Sequence, residues 1–208
     1  LQANLRQAPA RQAAMFAGLS QDVPCTTINK VCSSGMKSIM LAAQSIMCGD
    51  HEVVIAGGME NMSSVPHYMA KGRTGQKLGD MKLIDGLVAD GLTDVYNRVH
   101  MGVCAEKCAT EMNFSREEQD AFAFRSHRLA IEAIDSGRFT DEMISLIVTQ
   151  KELGESENKP RFSQVTFSKD EGPRRDTSLE SLAKLKPAFH INGTVTAGNA
   201  SQTSDGAS

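Results

Sequence analysis

From Met36 the apolar residues fall at Met36, Ile39, Met40, Ala43, Ile46 and Met47, the spacing of one face of a helix, and Gly49-Asp50 closes the run. A short run of β-branched and small residues lies on either side of that helix. Cys25-Thr26-Thr27-Ile28-Asn29 reads as a strand before it, and Glu52-Val53-Val54-Ile55-Ala56, closed by Gly57-Gly58, reads as a short buried strand after it. Strand, helix, strand in close succession is the crossover pattern of a parallel sheet with both faces covered, so the predicted class is α/β. The sequence opens with a further helix, Pro9 to Ala17, with Pro near its start and Gly18 as its stop.

The periodicity loosens from Met59 to Gly91, where Gly, Ser, Pro and mixed charges predict loops with short helical pieces, the start of an insertion. Ser115-Arg116-Glu117-Glu118 is a capping box. It opens a predicted helix with an apolar face of Phe122, Leu129, Ala130, Ala133 and Ile134 and a stop at Gly137. Met143 to Val148 is strand-like, and Lys151 to Arg175 is polar, turn-rich and irregular. Thr177-Ser178-Leu179-Glu180 offers a second capping box for a short helix ending before Pro187. Asn192 to Ser201 returns to strand and tight loop.

Composition narrows the function classes. The 208 residues are 40% hydrophobic and 23% charged, with no Trp and a net charge of −3, ordinary globular usage that excludes a disordered or fibrous chain. No basic field is available for a polyanion, so no nucleic-acid partner is expected. No stretch approaches the roughly 18 apolar residues of a membrane span, and the first residues lack the apolar core of a signal peptide. The five cysteines are odd in number and sparse, which fits a reducing compartment. The first residue is not Met and the last ten form no closing element, so the sequence reads as a piece with both ends missing.

Cys32 is the foremost candidate for chemistry. It falls on a strand-to-helix turn, where backbone N–H groups at the helix start favour a thiolate, and Ser33, Ser34 and Gly35 leave room for a carbonyl or thioester. The competing reading is a cysteine packed as a small hydrophobe. Cys25 and Cys48 read as structural. Cys104 and Cys108 are spaced like metal ligands but have no second pair. His51 and His127 read as solvated surface, His67 and His190 as loop residues, and His100 as a residue that lines or fills a pocket. Arg174-Arg175 with Lys169, Lys184 and Lys186 make either a solvated face or a grip on phosphates. Neither Gly-rich piece, Ala56-Gly57-Gly58 or Ala197 to Ser201, makes a Walker or dinucleotide motif, which argues against nucleotide hydrolysis.

The run Ile28-Asn29-Lys30-Val31-Cys32-Ser33-Ser34-Gly35-Met36-Lys37-Ser38-Ile39 resembles the acyl-cysteine signature of the thiolase family. The likeness continues, in the family's order, through Val54 to Ser63, Asp90 to Asp94, His100-Met101-Gly102, Leu185 to Phe189 and Gly193 to Ser201. His100-Met101-Gly102 resembles the acetoacetyl-CoA, biosynthetic branch.

The resemblance implies a layered α-β-α-β-α fold with a loop domain inserted in its N-terminal domain. Residues 1 to 60 would be most of that domain, 61 to 190 the loop domain and 191 to 208 the return, with the C-terminal domain absent. It implies a reversible Claisen condensation of two acetyl-CoA to acetoacetyl-CoA and CoA through an acetyl group on Cys32. It places coenzyme A against Tyr96, His100, Met101, Arg174, Ser181, Ala188, Phe189, Ala197, Gly198 and Ser201, with one residue of latitude between Arg174 and Arg175. A potassium ion would sit by Tyr96 and carbonyls near Ala197, Gly198 and Ala200, although Gly198 stands where the potassium-dependent relatives have Ala. No other cofactor is implied.

The family's acid/base histidine, in a Gly-His-Pro motif, and its second cysteine belong to the C-terminal domain. Neither motif occurs here, so these residues alone are not expected to turn over. A homodimer or homotetramer is implied for the complete protein, in the cytoplasm or alternatively the mitochondrial matrix. Three other readings stay open: another condensing enzyme of the same fold such as a ketoacyl synthase, a noncatalytic CoA- or acyl-binding or lipid-carrier relative, and a plain interaction module.

Overall fold

A computed structural model of the chain describes residues 1–153 and 160–208. Two compact units are present, one of Leu1–Cys104 with Gln202–Ser208 and the other of Ala105–Ser201.

In the first unit, α1 (Pro9–Phe16) starts on Pro and α2 (Ser34–Met47) stops before Gly49, whose φ of 78° ends the helix. Both helices fall where the sequence puts them. The flanking strands do not. Residues 25–29 and 52–56 are free of ladder pairing, and the first unit's strands are instead β1 (Met59–Asn61), β2 (His67–Tyr68), β3 (Ile84–Asp85) and β6 (Asp205–Ala207). β1 pairs antiparallel with β6, and β2 with β3. A strand exists only with a partner, and the described residues offer none to either predicted run, so no parallel sheet forms among them. The uncovered apolar face of α2 has the same origin: Met36, Ile39, Met40, Ile46 and Met47 are all exposed. A π-helical turn, Leu87–Gly91, follows β3.

Asp205 ties β6 to the turn after β1. Its carboxylate accepts from the backbone N–H of Ser63 (3.0 Å) and of Met62 (2.7 Å), and these bonds hold its pKa below the ordinary aspartate value. A carboxyl whose folded-state pKa is depressed stabilises the fold above its unfolded value and loses that effect as pH falls through the folded one. Amide-exchange protection at Met62 and Ser63 is therefore expected to hold down to the ordinary aspartate range and to fall below it. Asp205→Asn, which keeps an acceptor without a charge, should flatten that dependence; protection equally high in acid in the parent protein would refute this account.

The second unit holds most of α3 (Met101–Glu111), with α4 (Arg116–Asp135), β4 (Leu146–Leu153), β5 (Pro160–Phe167) and α5 (Leu179–Ala183). The capping box of α4 forms in full: Ser115 Oγ accepts from the Glu118 N–H at 3.1 Å, and Glu118 accepts from the Ser115 N–H at 2.8 Å. Its inner face matches the expected one at Ala130, Ala133 and Ile134, all half-buried, and differs elsewhere. Ala123, Phe124, His127, Ile131 and Ile134 are half-buried, whereas Phe122 is 73% exposed and Leu129 46%. Asp120 and His127 sit on the inner stripe, and their polarity disguised it. The second capping box is one residue later than expected, Ser178 with Ser181. β4 begins at Leu146 rather than Met143, and β5 lies in the stretch expected to be irregular, part of which falls outside the described residues. Residues 192–201 form turns and a single bridge, Pro187 to Thr196, instead of a strand.

Among the described residues the buried apolar side chains are Ala109, Leu182 and Val195, all in the second unit, beside the buried polar Asp120 and Thr196. No described helix is long and apolar enough to cross a membrane.

Candidate active site and coenzyme A surface

Cys32 stands one residue before the N-cap of α2 and is exposed. The turn that presents it is held from both sides. Asn29 Oδ1 accepts from the Val31 N–H at 3.0 Å. Ser34 Oγ accepts from the Lys30 N–H at 2.9 Å and donates to the Val31 carbonyl at 2.6 Å. Between these anchors Val31 adopts φ 52°. A β-branched residue in the left-handed region is a genuine outlier, costing about 1–3 kcal/mol, and persists only where its surroundings over-determine it. The strain therefore lies next to the cysteine that the sequence singles out.

The start of α2 is seated on the Gly57-Gly58 segment. Ser38 Oγ donates to the Gly57 carbonyl at 3.1 Å, and a Cβ on Gly58 would lie 3.4 Å from the Gly35 Cα, so two glycines let backbone meet backbone. Gly58 also exchanges both backbone bonds with Ser208, at 2.8 and 2.9 Å, extending the β1–β6 pair. The remaining cysteines contrast with Cys32. Cys48 is the C-cap of the same helix and is exposed, not packed in a core as expected. Cys25 lies in unpaired backbone, and no cluster of metal-ligating residues occurs among the described residues.

Tyr96, His100 and Met101 share the first unit with Cys32. Asp94 accepts from the Asn97 backbone N–H at 2.7 Å and its side-chain amide at 2.8 Å, bonds that lower its pKa and shape the turn carrying Tyr96, which is 89% exposed. His100 is half-buried at the head of α3. Its Nδ1 accepts from the Gly102 N–H at 3.0 Å, which orients the ring at the helix start.

The other expected coenzyme A residues belong to the second unit. The loop from Gly193 to Ser201 is folded around carboxylates. Glu106 accepts from the N–H groups of Thr194 and Val195, the nearest at 2.9 Å, and a side chain at Gly193 would overlap it. Asp120, 4% exposed, accepts from Arg116 Nε at 2.8 Å and from Asn199 Nδ2 at 2.9 Å, while Asn199 Oδ1 accepts from the Thr196 N–H at 2.7 Å. A Cβ at Gly198 would lie 2.5 Å from methyls of Leu182 and Leu185, so glycine suits this packing. Ala197 and Ser201 are exposed on this loop, Phe189 is half-buried, and the Ala188 N–H bonds the Val195 carbonyl at 2.9 Å. Ser181 spends its hydroxyl on the α5 cap, donating to the Ser178 carbonyl at 2.8 Å.

The two adjacent arginines differ. Arg175 makes a double contact with Asp135, at 2.8 and 2.5 Å, which raises the Arg175 pKa and lowers that of Asp135. Arg174 has a looser contact with Asp176 at 3.5 Å, which lowers the Asp176 pKa. Arg174 is thus the less committed guanidinium. Its backbone N–H donates to His127 Nδ1 at 3.1 Å, which corrects the reading of His127 as solvated surface.

The sequence alone did not single out Glu106 and Asp120, and it placed His127 on the surface. The available signal was a polar residue at an inward-facing helical position.

Comparison with known proteins identifies the family. Residues 1–208 match the family described as thiolase, N-terminal domain. The chain is 51% identical over 207 residues to an acetyl-CoA acetyltransferase of Pseudomonas aeruginosa. It is 48% identical over 207 residues both to an acetyl-CoA acetyltransferase of Thiocystis violacea and to a probable acetyl-CoA acyltransferase of Staphylococcus aureus. Each comparison takes in all of this chain and 50% of the relative, so the chain spans about half the length of the curated relatives it matches. A match across every residue shows the family: with its helices, its strands and its cysteine turn, this chain belongs to the thiolase family as an N-terminal domain of α/β fold.

Proposed function

We propose that the protein to which these residues belong is an acetyl-CoA C-acetyltransferase, condensing two acetyl-CoA to acetoacetyl-CoA and CoA, reversibly, through an acetyl group carried on Cys32. The observation that carries this reading is the exposed Cys32 at the head of α2, on a turn held under strain. Cys32 sulfur attacks the thioester carbonyl, the carbon–sulfur bond to CoA breaks, and CoA leaves as the thiol. The α-carbon of a second acetyl-CoA, having lost a proton, then displaces the cysteine sulfur. The backbone N–H of Cys32 would provide half of an oxyanion hole. The proton acceptor and the second donor belong, by family likeness, to residues outside this sequence.

By family likeness coenzyme A is expected to contact His100 and Met101 in the first unit and Arg174, Ser181, Ala188, Phe189, Ala197, Gly198 and Ser201 in the second. The Ser181 hydroxyl could contact it only by leaving its cap. Carbonyl oxygens of Ala197, Gly198 and Ala200 and the Tyr96 oxygen are hard, uncharged donors of the kind potassium takes. A potassium ion on the carbonyls of Ala197, Gly198 and Ala200 would brace the loop. A homo-oligomer and a cytoplasmic location complete the reading; five free cysteines favour a reducing compartment.

The relatives' names favour this reading over a noncatalytic CoA or acyl carrier. Incubating the protein expressed from its complete reading frame with acetoacetyl-CoA and CoA should yield two acetyl-CoA per acetoacetyl-CoA consumed. Binding of CoA without any conversion would favour the carrier instead.

A further inference from the structure

Val31 and Cys32 share one peptide unit, planar and trans, so its carbonyl and its N–H point in opposite directions. Fixing the Val31 carbonyl therefore fixes the aim of the Cys32 N–H. Ser34 holds that carbonyl with two donors: its backbone N–H at 3.1 Å and its hydroxyl at 2.6 Å. The same hydroxyl accepts from the Lys30 N–H at 2.9 Å, which ties down the entry to the turn, and Asn29 Oδ1 takes the Val31 N–H at 3.0 Å. Ser33, the N-cap by position, makes no side-chain cap bond, so the clamp rests on Ser34 rather than on a helix cap.

The clamp holds a conformation that Val31 disfavours. At φ 52° its branched side chain crowds the backbone, and at 69% exposed it gains little packing in return. Without the clamp, relaxation of Val31 to negative φ would swing the Val31–Cys32 peptide and turn its N–H away.

We propose that Ser34 is a positioning residue for acyl transfer: through the Val31 carbonyl, its hydroxyl aims the Cys32 N–H at the oxygen of the attacked thioester. The proposal rests on the reading of Cys32 as the acetyl carrier. As the Cys32 thiolate attacks, the new carbon–sulfur bond pushes the π pair of the carbonyl onto oxygen, where the Cys32 N–H meets it. When that pair returns, the bond to the CoA sulfur breaks and CoA departs as its thiolate. Alkylation by iodoacetamide differs: sulfur displaces iodide at a saturated carbon, and no oxyanion forms.

The test uses protein expressed from its complete reading frame and follows acetylation of Cys32 by intact mass after rapid quenching. Ser34→Ala should lower the maximal acetylation rate about 30-fold, less than removal of an oxyanion donor costs, because the N–H is misdirected rather than lost. The acetyl-CoA concentration giving half that rate should stay within about twofold, as for an interaction made only in the transition state. Labelling of Cys32 by iodoacetamide should also stay within about twofold of the parent rate, since its transition state carries no oxyanion. Ser34→Thr, which keeps the hydroxyl, should acetylate within about threefold of the parent. Val31→Gly added to Ser34→Ala should recover at least about threefold, because glycine takes φ 52° without strain.

Unchanged acetylation in Ser34→Ala, an equal fall in alkylation, or no recovery in the double variant overturns the role of Ser34 and leaves Cys32 as the carrier. Val31→Gly alone decides the matter if Ser34→Ala does not fold. Relief of strain should raise its thermal midpoint by about 1–2 °C, and a lowered midpoint overturns the clamp. No acetyl group on Cys32 of the parent protein overturns the carrier reading and the role of Ser34 with it.

Discussion

Replacing Cys32 by serine is expected to abolish the acetyl-enzyme and to lower turnover by about 10⁴-fold or more, the scale seen when a covalent nucleophile is removed. Intact-mass spectrometry of the parent protein with acetyl-CoA should show one acetyl adduct, mapping by peptide analysis to Cys32 and missing from Cys32→Ser. Exposure does not single this residue out, since Cys48 and Cys108 are exposed too. Position on the helix does. Cys32 precedes the N-terminus of α2, where backbone N–H groups and the helix dipole favour an anion, and Cys48 caps the C-terminus of the same helix, where the dipole opposes one. Cys48 is therefore an internal control, exposed like Cys32 but in the opposite field. An adduct on Cys48, or one that persists in Cys32→Ser, would remove Cys32 from the nucleophile's role.

The same comparison explains what could be read from the residues. Helices depend on contacts three or four positions apart, so α1, α2 and α4 emerge from spacing, caps and stops alone. The error at α5 is instructive. Thr177 and Ser178 are both capping residues, Glu180 and Ser181 can each close a box, and the fold takes the second pair. Strands depend on partners far along the chain. The β1–β6 pair joins Met59 to Ala207, and no local pattern announces such a pairing. Residues 25–29 and 52–56 have the composition of strands and lack a ladder, because composition is local and pairing is not. β5 went unread for a different reason: with Phe162 and Phe167 both exposed, burial wrote no alternation into it.

Within the site, legibility follows the same division. Asn29, Cys32 and Ser34 act on one another across a few residues, so the turn could be read as a unit. The bonds from Arg174 to His127 and from Thr194 to Glu106 span 47 and 88 residues. Sequence presents those partners as unrelated surface charges. Family likeness supplied positions such as Ala197, Gly198 and Ser201 but not the groups that hold their loop in shape.

Those holding groups predict the second large effect. Asp120 bridges Arg116 on α4 and Asn199 on the loop, and both its oxygens are used. Asp120→Ala would leave the Asn199 amide with only the Thr194 carbonyl at 3.1 Å, and Arg116 with only the carbonyls of Leu182 and Leu185. Removing one partner from a buried ion pair costs about 3–5 kcal/mol. Here the Arg116 side chain is 19% exposed and keeps other acceptors, which lowers the expected loss to about 2–3 kcal/mol. That loss should act first on the loop, whose Thr196 N–H bonds Asn199 Oδ1 and whose Gly198 N–H bonds the Thr196 hydroxyl at 3.1 Å. Amide exchange at Thr196 and Gly198 is expected to quicken roughly 30- to 160-fold in Asp120→Ala. Asp120→Asn, which keeps an acceptor for Asn199 but loses the charge facing Arg116, should fall between. Exchange at those two amides unchanged in Asp120→Ala would mean that Glu106, holding Thr194 and Val195, shapes the loop without Asp120.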